Sequence, residues 1–109
     1  MNKPKNLLPK PKCGTPYTFV IVDCIEGISH VGNPKIDLYC DIAEGECKGY
    51  FANNPKVRTL PMLTAKGNIT EYGQKFIDVV EQMNDFTVDW DYKPFANQFI
   101  GLYFGGEAE

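Results

Sequence analysis

The sequence contains a single histidine, no CxxC pair of cysteines and no apolar run long enough to cross a membrane. A metal site or redox motif is therefore not predicted, because His30 has no closely spaced partner ligands. Only Leu7 and Leu8 stand where a signal peptide would need a hydrophobic stretch. We expect a cytosolic protein without cofactor, in which a disulfide is disfavoured. The four cysteines are Cys13, Cys24, Cys40 and Cys47. Cys24 and Cys40 fall among strand-like residues, where a free thiol is most often buried.

Catalytic motifs are also missing. The chain has no GxSxG, no P-loop, no HExxH and no cysteine with a histidine base close to it in the pattern. The carboxylates between Asp78 and Asp91 resemble a solvated helix face followed by a turn. We therefore predict that the protein is not an enzyme.

The composition is that of one small globular domain. The chain has 109 residues, of which 43% are hydrophobic and 23% are charged, so it can bury a single core. Three prolines and four lysines lie within residues 1–14, which predicts a flexible basic arm. The folded domain is expected over residues 15–109.

The charges are segregated along the chain despite a net charge of only −3. Residues 1–22 and residues 47–70 each contain four cations and no acid, whereas residues 71–91 contain six acids and one lysine. Such sorting favours one basic surface that meets a polyanion. The alternative is chance clustering on solvated faces.

Two strands are predicted in the first half of the chain. Residues 17–25 are β-branched, aromatic and apolar on both sides, as in a central, strongly curved strand. Residues 35–42 alternate between polar and apolar, so one face of this strand is expected in the core and the other, here called the wet face, in contact with solvent. Glu44 and Gly45 would then form the turn of a hairpin. The core side of the second strand would carry Ile36, Leu38, Cys40 and Ile42.

The register of this hairpin predicts a binding platform. It places Tyr39 opposite Tyr50 on the wet face, with Lys35 and Lys48 beside them, and turns Phe51 into the core. Exposed tyrosines flanked by lysines can stack bases while the ammonium groups meet phosphates. Alternatively, the two tyrosines cover each other or pack under a loop.

Residues 52–70 are predicted to form a long connection with one short ordered piece at most. Two prolines, a glycine and three asparagines interrupt its apolar residues. Long loops within compact domains often carry function. This one would add Lys56, Arg58 and Lys66 to the basic surface.

A helix and a last strand complete the predicted elements. Asn68 and Glu71 resemble a capping box, and Asn84-Asp85 would end the helix. Its apolar stripe, expected to plug a sheet, consists of Tyr72, Phe76, Val79, Val80 and Met83. Trp90, between two aspartates, is predicted to be a packing anchor.

The last strand is expected to alternate across a bend. Ile100, Leu102 and Phe104 would lie on one side and Phe99 and Tyr103 on the other. The glycine at position 101 within this strand indicates a bend or a close approach of the backbone.

The order of elements and two blocks of sequence resemble a known group. Three strands, a helix and a strand follow the order of the oligonucleotide/oligosaccharide-binding (OB) barrel, whose helix plugs one end. The blocks DLYCDIAEGECKGYF and FTVDWDYKPFANQFIGLYFG are similar to those of a family encoded by phages and prophages of Gram-positive bacteria. The resemblance covers about residues 15–107. Members of that family have no known function and are thought to bind single-stranded DNA through an OB fold.

The chain departs from the family in two ways. Its stretch between hairpin and helix has fewer aromatic residues, and the chain stops at FGGEAE where relatives continue into a final strand. The fifth barrel strand would then be missing, truncated, or replaced by the N-terminal segment or another subunit. An open barrel leaves unpaired strand edges, which favours a homodimer through the sheet.

The sequence therefore predicts a mainly β fold: a partly open Greek-key OB-like barrel with one helix between strands 3 and 4. The resemblance implies non-sequence-specific binding of single-stranded DNA in phage replication or recombination. The rival is a protein-interaction module that recruits phage or host replication proteins through the open sheet edge, and the acidic region after residue 71 favours it. The predicted DNA contacts are Tyr39, Tyr50, Lys35, Lys48, Lys56, Arg58 and Lys66.

Overall fold

The computed structural model describes residues 16–107 of the chain, with side chains to residue 106. Its elements are β1 (Pro16–Ile28), β2 (Pro34–Ile42), β3 (Lys56–Pro61), α1 (Glu71–Asn84), a 3₁₀ turn (Phe95–Phe99) and β4 (Tyr103–Glu107). The strands form one antiparallel sheet in the order β3-β2-β1-β4, and the sheet is not closed. This is an open OB-like, mainly β fold with its helix between β3 and β4, which confirms the predicted fold class. The predicted arm, residues 1–14, lies outside the described residues.

β1 is one of the two central strands, because it pairs with both β2 and β4, and its predicted central position is thus confirmed. A central, curved position was expected to explain the apolar residues on both sides of this strand, but a bulge is the cause. The register with β2 shifts between Ile21 and Asp23, which places a bulge at Val22. Phe19 and Ile21 are buried before the bulge, and Cys24 is buried after it. The bulge thus changes which alternate residues face the core.

β2 alternates as the sequence predicts. Ile36, Leu38, Cys40 and Ile42 are all buried, while the residues between them are partly exposed. The inward side chains pack with those of β1, β4 and α1 in one hydrophobic core. This strand therefore defines the inner and the outer face of the sheet.

The predicted hairpin register is wrong. β3 begins at Lys56, so that Tyr39 lies opposite Val57 instead of Tyr50, and Leu38 lies opposite Arg58. The ordered piece of the expected loop is thus the third strand itself. Residues 46–53, where the third strand was expected, form consecutive turns.

Two features draw residues 46–53 out of the sheet. Gly45 and Gly49 both have positive φ, which an L side chain rarely adopts and which interrupts an extended strand. The Asp41 carboxylate Oδ1 accepts hydrogen bonds from the backbone N–H of Ile42 and of Phe51, both at 2.8 Å. The Asp41 side chain therefore stabilises these turns. In a continuous hairpin the same side chain would point to the outer face of the sheet.

α1 is rotated about its axis relative to the predicted stripe. Its buried residues are Gly73, Phe76, Ile77 and Val80, whereas Tyr72 and Met83 are exposed. Gly73 explains the rotation, because a Cβ at that position would lie 3.3 Å from the backbone oxygen of Met62 and 3.2 Å from its sulfur. The N-cap is Thr70, whose side chain accepts from Gly73 N–H, so the predicted capping box at residue 68 is not formed. The predicted end at residues 84–85 is confirmed.

The segment before β4 is less extended than predicted. Phe99 belongs to the 3₁₀ turn and is fully buried, whereas Ile100 is exposed. Gly101 has a φ of 89°, so the expected bend is present and the strand itself begins at Tyr103. The inner face of β4 carries Phe104, whose ring stacks on that of Phe19 at 5.6 Å.

Cys24 and Cys40 are buried free thiols, as expected, and Cys47 is a further buried free thiol within the described residues. Burial, reinforced by the nearby Asp23 carboxylate, raises the pKa of Cys24 from 9.0 to about 12. Burial likewise raises the pKa of Cys40 to about 11, although Arg58 and Lys56 oppose the shift.

We expect these two thiols to react slowly. At pH 8 alkylation, followed residue by residue by mass spectrometry, should be slower in the folded protein than in guanidinium chloride by about a hundredfold for Cys40 and about a thousandfold for Cys24, in proportion to the thiolate fraction. The raised pKa values also predict that folding stability declines as the pH rises above 9.0, because the unfolded chain then releases protons that the folded chain retains. Equal alkylation rates in the two states would contradict the buried placement.

Candidate nucleic-acid interface

The outer face of the sheet holds two of the predicted DNA contacts, Tyr39 and Lys35. Tyr39 is partly buried and lies between Val57 of β3 and Asp23 of β1. Lys35 Nζ is 2.9 Å from Asp37 Oδ2. The predicted platform, with Tyr39 opposite Tyr50, is therefore not formed.

The electrostatics of this outer face are acidic. Hydrogen bonds from Thr59 Oγ1 at 2.6 Å and from Lys35 Nζ keep the pKa of Asp37 below its ordinary value, so this carboxylate stays ionised. Lys35 is thus neutralised by its neighbour. Asp23 and Asp41 add two further acids to the region around Tyr39. A polyanion would meet net negative charge on this face.

Three other predicted contacts lie apart from it. Tyr50 packs partly buried against the core, with its ring 5.1 Å from that of Phe51 in a perpendicular arrangement. Lys48 is exposed in the turns that follow β2, and Lys66 is exposed in the turn before α1. The structure does not bring these three side chains together with Tyr39.

The remaining two predicted contacts lie together on β3. Lys56 is opposite Cys40 and Arg58 is opposite Leu38, so both cations share the inner face with buried residues. Because β3 is an edge strand, its inner face is only partly covered. Side chains as long as these can cover apolar surface with their stems and keep their charged ends in water.

These cations line a cleft between the two edges of the sheet, here named the β3-β4 cleft. Arg58 reaches across it, with its guanidinium carbon 6.0 Å from the ring centre of Phe104 on β4. The main cavity is about 190 Å³, and its lining includes Arg58, Leu60, Tyr72, Lys75, Phe76 and Phe104. A smaller adjoining recess includes Lys56. No carboxylate lines either cavity within the described part of the chain.

α1 provides the third side of the β3-β4 cleft. Tyr72 is 67% exposed, the most exposed aromatic side chain among the described residues, and stands at the helix N-terminus. Lys75 is on the same side of the helix and pairs with Glu71 at 3.5 Å. Since both members of that pair are largely in water, the pair is weak and leaves the ammonium available.

The sequence reasoning missed Tyr72 and Lys75 as members of a site. Tyr72 was assigned to the apolar stripe of the helix, and Lys75 was counted only as the single cation of an acidic region. The alternation in KVRTLP could have indicated the shared face of Lys56 and Arg58, because residues two apart in a strand point the same way. The Asn54-Pro55 pair directly before that stretch and Pro61 at its end obscured the strand.

The class defined by this geometry is an open OB-like domain with a basic, partly aromatic cleft at the opening of its sheet. No protein-family model, curated protein or solved structure matches the chain. The phage family of the sequence resemblance therefore stays a prediction.

Over residues 16–107 the structure contains neither a metal-binding cluster of histidine, cysteine or acidic side chains nor a helix suited to crossing a bilayer. That the protein works without metal, cofactor or catalysis stays a prediction. The candidate site within these residues is a cleft lined by cations and aromatic side chains.

Proposed function

We propose that the protein binds single-stranded DNA without sequence preference, through the β3-β4 cleft. The observation that carries the proposal is the shared inward placement of Lys56 and Arg58, in a cleft to whose lining the described side chains contribute no acid. The resemblance of the sequence to a phage-encoded family supports a role in phage replication or recombination.

The chemistry of the cleft suits a flexible polyanion. Lys56, Arg58 and Lys75 supply three cations along one groove, and such grooves follow a single-stranded backbone. Tyr72 offers an exposed ring on which one base can stack, whatever its identity, because every base has a π face. Phe104 is buried beneath Arg58 and acts as a floor for the guanidinium.

The rival function, recruitment of a protein through an open sheet edge, is favoured by a separate observation. β3 and β4 each pair on one side only within the described residues, which leaves backbone donors and acceptors for an added strand. Inward-pointing charges, however, are a means by which edge strands avoid pairing. Lys56 and Arg58 therefore make β3 the poorer template of the two edges.

A salt-dependent titration tests the proposal. Fluorescein-labelled oligo-dT should bind, and a plot of log affinity against log salt should have a slope of about −2 for three cations. In the Lys56→Gln/Arg58→Gln variant, loss of two phosphate contacts should reduce the slope to about −0.7 and lower affinity by about 50-fold at low salt.

Lys93→Gln is the matched control, because Lys93 is exposed but does not line the cleft. Its slope and affinity should stay close to those of the native protein. Circular dichroism should show that the double variant is folded. Absence of oligo-dT binding by the native protein, or a double variant that behaves like the control, would refute the proposal.

A further inference from the structure

A second and larger groove, here named the Trp90 groove, lies next to the turn that joins β1 to β2. Its volume is about 490 Å³, and its apolar lining includes Ile28, Ile36, Met62, Leu63, Trp90 and Phe95. These residues come from β1, β2, the segment after β3 and the connection between α1 and β4. The groove shares no lining residue with the β3-β4 cleft.

Trp90 forms one wall of the groove and is held in place. Its ring stacks on that of Phe95 at 5.1 Å with an interplanar angle of 19°. Gln98 exchanges two hydrogen bonds with the backbone of Asp89, accepting from its N–H at 2.9 Å and donating to its oxygen at 3.0 Å. The indole is therefore an ordered surface, and it is still 52% exposed.

Further apolar side chains extend this surface into solvent. Ile28 is 65% exposed in the groove, and Val31, at the tip of the same hairpin, is 67% exposed. Tyr92 is also exposed, two residues beyond the tryptophan. A concave apolar site next to exposed aliphatic and aromatic side chains is typical of a protein-binding surface.

The charges around the groove are acidic. Glu26 lines it, and its Oε1 accepts from Ala96 N–H at 3.1 Å. Asp89 and Asp91 flank the tryptophan and are both exposed. Among residues 16–106, Lys35 is the only cation that lines the groove, and its ammonium is held by the Asp37 carboxylate on the outer face at 2.9 Å.

From this arrangement we infer that the Trp90 groove binds a segment of another protein in which an apolar side chain is flanked by lysine or arginine. The apolar side chain would fill the cavity against Trp90, and the cations would meet Glu26, Asp89 and Asp91. The same acids repel a phosphate backbone, and they would face each other if two copies associated through this groove. Charge thus selects a basic protein partner over DNA and over a second copy.

The single tryptophan of the chain makes the inference directly measurable, because tryptophan emission, excited at a wavelength that tyrosine does not absorb, reports on this groove alone. The probes are two synthetic decapeptides with a central Leu-Phe pair, one flanked by lysines and arginines and the other by glutamates. The basic peptide should change the emission in a saturable way, and the acidic peptide should not. Oligo-dT should leave it unchanged.

Two variants separate the apolar from the electrostatic contribution. With the basic peptide labelled and followed by anisotropy, Trp90→Ala should weaken binding by about 30-fold, the range of a buried aromatic hot spot. Glu26→Gln/Asp91→Asn removes two charges and keeps the acceptor for Ala96 N–H; it should weaken binding about fivefold and flatten the salt dependence. Ile100→Ala, an exposed apolar residue outside the groove, is the control and should bind normally.

Several results would overturn the inference. They are no saturable binding of the basic peptide, equal binding of the acidic peptide, or no effect of Trp90→Ala. Loss of oligo-dT binding in Trp90→Ala, with the peptide unaffected, would instead assign the groove to nucleic acid. Because the cleft cations are untouched in these variants, failure here leaves the proposed DNA binding standing, and the reverse also holds.

Discussion

Replacement of Phe99 by alanine should lower the free energy of unfolding by about 3 to 5 kcal/mol, as expected for truncation of a buried phenylalanine. Phe99 is 0% exposed and makes ring contacts with Phe76 at 5.2 Å and Phe95 at 5.4 Å. The lost side chain would leave a cavity between α1 and the 3₁₀ turn. Urea denaturation followed by far-UV circular dichroism measures the loss, which is a large part of the stability of a small domain.

The neighbouring Ile100 is the matched control, because it is apolar, adjacent in sequence and exposed. Ile100→Ala should change the free energy of unfolding by less than about 1 kcal/mol. Sequence alternation placed Ile100 on the same side as Phe104, so the pair of variants also tests that assignment. Similar losses in both variants would show that the 3₁₀ turn does not orient these residues as described.

Replacement of Tyr72 by alanine should weaken binding of oligo-dT by about 5- to 150-fold, which corresponds to about 1 to 3 kcal/mol for one stacked base. Stability should change little, because the ring is 67% exposed at the start of α1. Fluorescence anisotropy at fixed salt gives the affinity, and the salt slope should stay close to the native value, because no cation is removed.

Tyr39→Ala is the informative comparison. Tyr39 is the stacking residue that the sequence predicted, but it lies among carboxylates on the outer face. We expect its replacement to leave the affinity for oligo-dT within about twofold, since this ring contributes no stacking to the cleft. If Tyr39→Ala weakened binding and Tyr72→Ala did not, DNA would follow the outer face, and the cleft would lose its proposed role.

Strict alternation made much of the fold predictable from the sequence. In β2 every second residue is apolar, and one buried face follows from the geometry of a strand. The register was not predictable from turn residues alone. Glu44-Gly45 resembles a hairpin turn, but the carboxylate of Asp41 accepts a hydrogen bond from the N–H of Phe51. This bond stabilises a series of turns, and the next strand begins only at Lys56.

The candidate site was only partly predictable for the same reason. Lys56 and Arg58 were identified as cations, but their inward direction depends on which β2 residues they face. The helix shows a similar dependence on tertiary contacts. Gly73 permits close approach to Met62, and this rotates Tyr72 out of the core that hydrophobic periodicity assigned to it.

The unclosed sheet has a mechanical consequence for whatever enters the β3-β4 cleft. In a closed barrel, inter-strand hydrogen bonds fix the circumference, so the interior cannot widen without breaking some of them. Here β3 and β4 lie at opposite ends of the strand order, and side chains such as Arg58 and Phe104 make the contact between them. A change in sheet curl can therefore alter the spacing of the two edges while every ladder stays intact. A cleft whose width can vary in this way would admit ligands of different thickness without loss of the hydrogen bonds between strands.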